Sequence, residues 1–155
     1  MNNKKLSGLF YTAVLGVAVL SLGSCSEKKF NINGTITQAK DSVLYLENMS
    51  LNGPKAVDSV KLDENGNFEF KQKAPDAPEF YRLRIANQMV NLAVDSTENI
   101  TVKAAYPTMS ANYEVSGSEE CAKIRDLAYM QLALQRQVTA IANSPALGVE
   151  AVEDS

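Results

Sequence analysis

The chain contains no histidine and no tryptophan, and only two of its 155 residues are cysteine. Without histidine it lacks the commonest general base and the commonest transition-metal ligand, so catalysis would have to lean on carboxylates, Lys, Ser or Cys. No CxxC occurs, which removes the usual framework of a redox or zinc site. Lys and Arg number 15 against 18 Asp and Glu, a formal net charge of -3. With no dense basic cluster, nucleic acid is excluded as an expected partner. The longest apolar run, Leu9 to Leu20, is too short and too interrupted by Gly and Ser to span a membrane comfortably. What is present is ordinary for a globular domain, with 45% hydrophobic and 21% charged residues.

The stretch from Ala56 to Phe70, AVDSVKLDENGNFEF, organises the rest. Val60, Leu62, Phe68 and Phe70 alternate with Lys61, Asn67, Glu69 and Lys71, and Asn65-Gly66 between them predicts a hairpin with positive φ at both turn residues. A lone ribbon is marginal, so its apolar face needs a larger sheet. Period-two runs supply one. Phe30, Ile32 and Ile36 face inward on a first strand, and Val43 to Leu46 forms a continuous apolar second strand ahead of a loop reaching Pro54. Tyr81, Leu83 and Ile85 oppose Arg82 and Arg84 on another. Asn87 and Gln88 turn into Val90, Leu92 and Val94, and Asp95 to Thr97 turn into Ile100 and Val102. Tyr113 with Val115 makes a last short strand. The expected fold is mainly β, an antiparallel sandwich or open barrel of seven to eight strands over residues 30–116, followed by one C-terminal α-helix.

The helix is expected over 117–143, capped by Ser116 or Ser118 with Glu119 and Glu120 in its first turn. Ile124, Leu127, Met130, Leu134, Val138 and Ile141 recur at helical spacing, interrupted by Gln131 and Gln135, and the simplest expectation is that this stripe packs on the sandwich. A protein partner or a further domain is the other candidate for it. Residues 144–155 read as a loosely ordered tail.

At the other end, Lys4 and Lys5 ahead of the apolar run mark residues 1–24 as a secretory signal peptide. Its end, Leu22, Gly23, Ser24, Cys25, resembles the lipobox of bacterial lipoproteins. That resemblance implies cleavage before Cys25, a diacylglycerol on its sulfur, an acyl group on its amine and hence a membrane anchor, since each buried CH₂ contributes about 0.8 kcal/mol. Residues 25–29 form a short tether. In resembling lipoproteins a Ser after the lipidated Cys, here Ser26, directs transfer to the outer membrane. Glu27 alone is a thin signal for surface display, so the periplasmic face of a Gram-negative outer membrane is expected.

Several smaller constellations remain. Asp63, Asn65 and Asn67 match the opening of a calcium loop, but Phe68 stands where such a loop needs Gly, so a turn explains them better and neither metal nor cofactor is expected. Asp58 shares the parity of Val60 and Leu62; it lies either at the rim in water or against Arg82 or Arg84. Ser42, Ser59 and Ser96 each follow an Asp in triplets that resemble an O-glycosylation acceptor sequence, although Asp-Ser is also common turn chemistry. Cys121, in the first helical turn, reads as a small helix residue rather than a reactive thiol.

The ordered blocks FNINGTITQAKDSVLYLEN, AVDSVKLDENGNFEF, EFYRLRI, LAVDSTENITV and YEVSGSEE resemble the β-rich domain of unknown function at the N-terminus of bacterial lipoproteins that carry a thioredoxin-like, peroxiredoxin-related thiol-disulfide oxidoreductase domain. In those relatives a helical region follows the Gly-Ser step, here Gly117-Ser118, and leads to the redox domain. The resemblance implies a non-catalytic accessory or docking module whose helix meets a protein partner or a missing redox domain, with no counterpart here of the family's catalytic cysteines. A stand-alone binder of small ligands or glycans, using the loops around Asn48 to Pro54 and Tyr106 to Asn112, is the second reading, and an enzyme the third.

Overall fold

The computed structural model describes residues 27–144. The expected signal peptide, the lipobox-like Leu22, Gly23 and Ser24, the expected lipidation site Cys25 and the tail beyond Ser144 lie outside the described residues. Eight strands, β1 (Lys29–Thr37), β2 (Val43–Ser50), β3 (Gly53–Lys61), β4 (Asn67–Lys73), β5 (Glu79–Ile85), β6 (Gln88–Val94), β7 (Asn99–Ala105) and β8 (Tyr113–Ser116), precede one helix, α1 (Glu119–Ala142). They form two four-stranded sheets, ordered β4-β1-β7-β8 and β3-β2-β5-β6. The result is an open sandwich, antiparallel except where β1 runs parallel to β7.

Alternation along the strands decides the core. Phe30, Ile32, Phe70, Ile100 and Val102 from one sheet meet Leu44, Leu46, Leu83, Val90 and Leu92 from the other, all buried. The Phe30 and Tyr81 rings, on β1 and β5, lie 5.0 Å apart across the interior.

The expected hairpin over Ala56 to Phe70 is not one. β3 pairs with β2, and β4 pairs with β1 in the opposite sheet. Leu62 still exchanges backbone bonds with the β2 side, its N–H donating to Ser42 O at 2.9 Å, while Gly66 O accepts from Ile36 N at 2.9 Å. Residues 63–65 therefore step from one sheet to the other. Asp63 Oδ1 accepts from the N–H groups of Asn65 and Gly66, both at 2.9 Å, an Asx turn rather than a calcium loop. Only Gly66 takes positive φ, +68°, and a Cβ there would stand 1.9 Å from Ile36 O. The face assignments survive, with Leu62, Phe68 and Phe70 buried and Val60 packed beside them, because both sheets turn their inner faces to the same core.

Two other boundaries move. β2 continues through Glu47 and Asn48 to Ser50, where a loop to Pro54 was expected, so the connection to β3 is only Leu51 and Asn52. Ala86 and Asn87, not Asn87 and Gln88, turn β5 into β6.

Candidate functional site

α1 is where the fold leaves something unfinished. Gly117, at φ +87°, lies so close to Asn99 O that a Cβ would fall 1.9 Å from it, which brings the chain in tightly against the start of β7. Ser118 then caps the helix. Its Oγ accepts from Cys121 N at 3.3 Å and donates to Glu98 Oε1 at 3.0 Å, and Glu98 Oε2 accepts from Asp95 N at 2.8 Å. The helix start is thus tied to the β6–β7 turn.

From there α1 closes two bare sheet edges. β6 and β8 are the last strands of their sheets on this side, and their outward backbone groups need partners. Cys121 Sγ donates to Ala93 O at 3.2 Å and accepts from Ala93 N at 3.4 Å on β6. Two turns later, Tyr129 Oη donates to Tyr113 O at 2.5 Å and accepts from Tyr113 N at 2.6 Å on β8. A thiol and a phenol, each both donor and acceptor, stand in for a neighbouring strand. Burial pushes the Cys121 thiol up; the bonds to Ala93 and Ser118 oppose this without reversing it, and Glu98 and Glu120 add to it. The thiol is held protonated and inaccessible, the opposite of an attacking group. Burial first, with Tyr129 beside it, raises Tyr113 to about 12.

The expectation that the apolar stripe packs on the sandwich fails for most of its length. The covered side is a different one: Cys121 is buried and Ala128, Tyr129 and Leu132 are half-buried, while every residue from Ala133 to Ser144 is exposed. Leu127, Met130, Leu134, Val138 and Ile141 are 56–74% exposed. At about 100° per residue the stripe points away from the edge-closing side. Only Ile124 reaches the sandwich, lining with Met49, Phe80, Tyr81 and Asn91 a shallow apolar hollow of about 350 Å³ on the outer face of β5 and β6. Phe80, 60% exposed, continues that surface.

The direction of α1 follows from register. β1 begins at Lys29, and Asn99 pairs with Asn31, so the helix starts at the end of the sandwich where the chain enters β1. Tyr113 pairs with Ala104, and Ala104 with Ile36, so by Tyr129 the helix has reached the opposite end. Residues 130–142 extend about 20 Å beyond.

The remaining sequence-predicted residues do not converge on this surface. Asp58 lies exposed at the rim, accepting from Gln72 Nε2 at 2.9 Å and from Ser59 N at 2.8 Å. Arg82 and Arg84, the alternative partners for it, belong instead to Glu47, which sequence reasoning missed. Glu47 is 5% exposed; Arg82 Nε and Arg84 Nε donate to its two oxygens, the latter at 2.8 Å, and the Arg84 guanidinium lies 4.7 Å over the Tyr45 ring. Asp58 pairs across β2–β3 with the core residue Leu46, so it takes the opposite face of the sheet from Glu47 and its guanidiniums. Ser59 on β3 and Ser96 in the β6–β7 turn are exposed, Ser42 before β2 is half-buried, and the three lie on separate elements. The segment Tyr106 to Asn112 folds down over the core with Met109 fully buried, and Ser110 bonds to the β6 edge through Met89 N at 2.7 Å.

A family model described as Domain of unknown function (DUF4369) matches residues 30–123. The match takes in the strands from Phe30 onward and the first turn of α1 with Cys121, and it stops before Tyr129 and before the bare stripe begins at Leu127. No curated protein matches the chain.

Proposed function

The chain belongs to the DUF4369 family of domains of unknown function, and from that premise we propose that it is an anchored, non-catalytic docking module of the bacterial cell envelope, akin to the front part of thioredoxin-like redox lipoproteins. The observation that carries this reading is the projecting half of α1, a helix whose apolar side is left to solvent while its other side is spent on closing sheet edges. The lipobox-like Leu22-Gly23-Ser24-Cys25 supplies the anchor. Cys25 precedes Lys29 by four residues, a reach of about 14 Å at full extension, so lipid on Cys25 holds the tether end of the sandwich at the membrane. The bare helix then stands off the membrane, towards whatever it meets in the periplasm. Cys121 supports the non-catalytic part, because its thiol serves as a structural donor and acceptor rather than a nucleophile.

Expression of the full chain in a Gram-negative host tests the reading in three parts. Mass spectrometry of envelope-extracted protein should find an acylated peptide beginning at Cys25; a soluble chain retaining Met1 overturns the anchor. Reduction of a disulfide substrate with dithiothreitol should not exceed the uncatalysed rate; turnover lost in Cys121→Ser overturns the non-catalytic reading. A photoreactive residue in place of Met130 should give protein adducts in cells while one in place of Lys71 does not, and equal silence at both overturns docking.

A further inference from the structure

Leu127, Met130, Leu134, Gln137 and Ile141 follow one another at alternating steps of three and four, the a and d positions of two successive heptads, and so form one seam along the projecting helix. The four apolar members are the large exposed side chains described above. Between Leu127 and Ile141 the positions flanking the seam are Gln131, Ala133, Val138 and Ala140, none of them charged. A seam meant for a partner of opposite charge selects it through charged flanks. Neutral flanks offer no such selection and no repulsion when the seam meets an identical one, and two alanines let helix axes approach closely.

We propose that the seam is occupied by a second copy of this chain, paired in parallel through the projecting half of α1. The parallel sense rests on the anchored reading above: two copies held by their tether ends in one membrane point their helices the same way. In that arrangement each a residue meets its own copy and each d residue its own, so Gln137 faces Gln137 between layers of Leu134 and Ile141. The two side-chain amides satisfy one another there. A slip of one heptad would break this pair, setting one Gln137 against Met130 and the other against Ser144, so the Gln137 layer favours the in-register pairing. The contact runs about 21 Å along the helix, short of what a free-standing dimer buries. Confinement of both copies to one membrane surface supplies the effective concentration that so short a seam needs.

The test is disulfide cross-linking of the full chain in the envelope of intact cells. Gln137→Cys, oxidised with copper phenanthroline, should run on a non-reducing gel as a reducible species of twice the chain mass. Arg136→Cys, one residue round the helix and off the seam, should stay at monomer mass, as should the unsubstituted chain with its buried Cys121. Adding Leu134→Glu to Gln137→Cys should cut the dimer by roughly tenfold or more, with the thermal melt of the sandwich unchanged because Leu134 packs on none of it. A monomeric Gln137→Cys chain, cross-linking no better than Arg136→Cys, or a reducible adduct of some other mass overturns the second copy. If Gln137→Cys stays monomeric while the photoreactive residue at Met130 captures another protein, docking stands and self-pairing falls; silence at both positions removes both.

Discussion

Glu47→Gln should be among the most costly single-atom-scale changes on the outer face of the sandwich. The Glu47 side chain is 7% exposed and accepts from two guanidiniums whose side chains are 17% and 27% exposed. Removing its charge leaves Arg82 and Arg84 side by side on one face of β5 with no anion between them. Breaking a buried pair by deleting one partner costs about 3 to 5 kcal/mol, and because both guanidiniums keep some contact with water we expect the lower end, about 3 kcal/mol. At roughly 4 °C per kcal/mol for a domain of this size, the melting temperature should fall by about 12 °C. The pH dependence gives a second reading of the same interaction. Burial by itself raises the Glu47 carboxyl, but the hydrogen bonds and charges of Arg82 and Arg84 more than reverse this and hold it below its ordinary value of 4.5. A carboxyl depressed in the folded state binds fewer protons there than in the unfolded chain, so its contribution is complete above about pH 4.5 and is lost as pH falls through the folded value. Urea melts of the full-length chain between pH 3 and 7, followed by far-UV circular dichroism since there is no tryptophan, should therefore show a shallower acid loss in Glu47→Gln than in the parent. Glu69, lowered chiefly by its hydrogen bond to Lys71, contributes equally to both. A loss under about 1 kcal/mol at pH 7, within the range of an exposed ion pair, together with identical acid slopes, would refute the reasoning.

Phe70→Ala, which empties a 1% exposed aromatic site, should cost about 3 to 5 kcal/mol in the same melts, whereas Lys71→Ala on the outer face should stay within about 0.5 kcal/mol; equal small losses would mean that the faces are misassigned. Tyr129→Phe removes the hydroxyl that serves both Tyr113 N and Tyr113 O, so it should cost about 1 to 3 kcal/mol and speed hydrogen exchange at Tyr113, and unchanged exchange would count against edge closure. Cys121, its thiol raised first by burial, should resist a thiol reagent at pH 8 in the folded chain and react at once in urea; rapid labelling of the folded chain would show that the thiol is open.

Much of the outcome was written in local pattern. Period-two alternation gave the inward faces of every strand but β2, from Phe30 and Ile32 to Tyr113 and Val115, because which side a residue takes depends only on its neighbours in the strand. β2 read as a continuous apolar run, whereas Val43 is exposed and only Leu44 and Leu46 of that run are fully buried. The helix was equally legible from Ser118, Glu119, Glu120 and the long run free of Gly and Pro, since capping and propensity act within a few residues. The family blocks lay in the same stretch that the family match covers. What a strand pairs with is another matter. Asn65-Gly66 carries the local grammar of a hairpin, yet β3 and β4 join different sheets, because backbone donors and acceptors are satisfied by any strand and the choice falls to the packing of the two sheets as a whole. The Glu47 cluster depended on that choice, needing β2 beside β5 before a carboxylate at 47 and guanidiniums at 82 and 84 could meet. So did the role of α1. Its stripe announced an apolar face, but the side that the sandwich took was the one bearing Cys121 and Tyr129, since two open sheet edges needed hydrogen-bonding atoms more than the core needed further apolar surface, and the stripe was left facing outward.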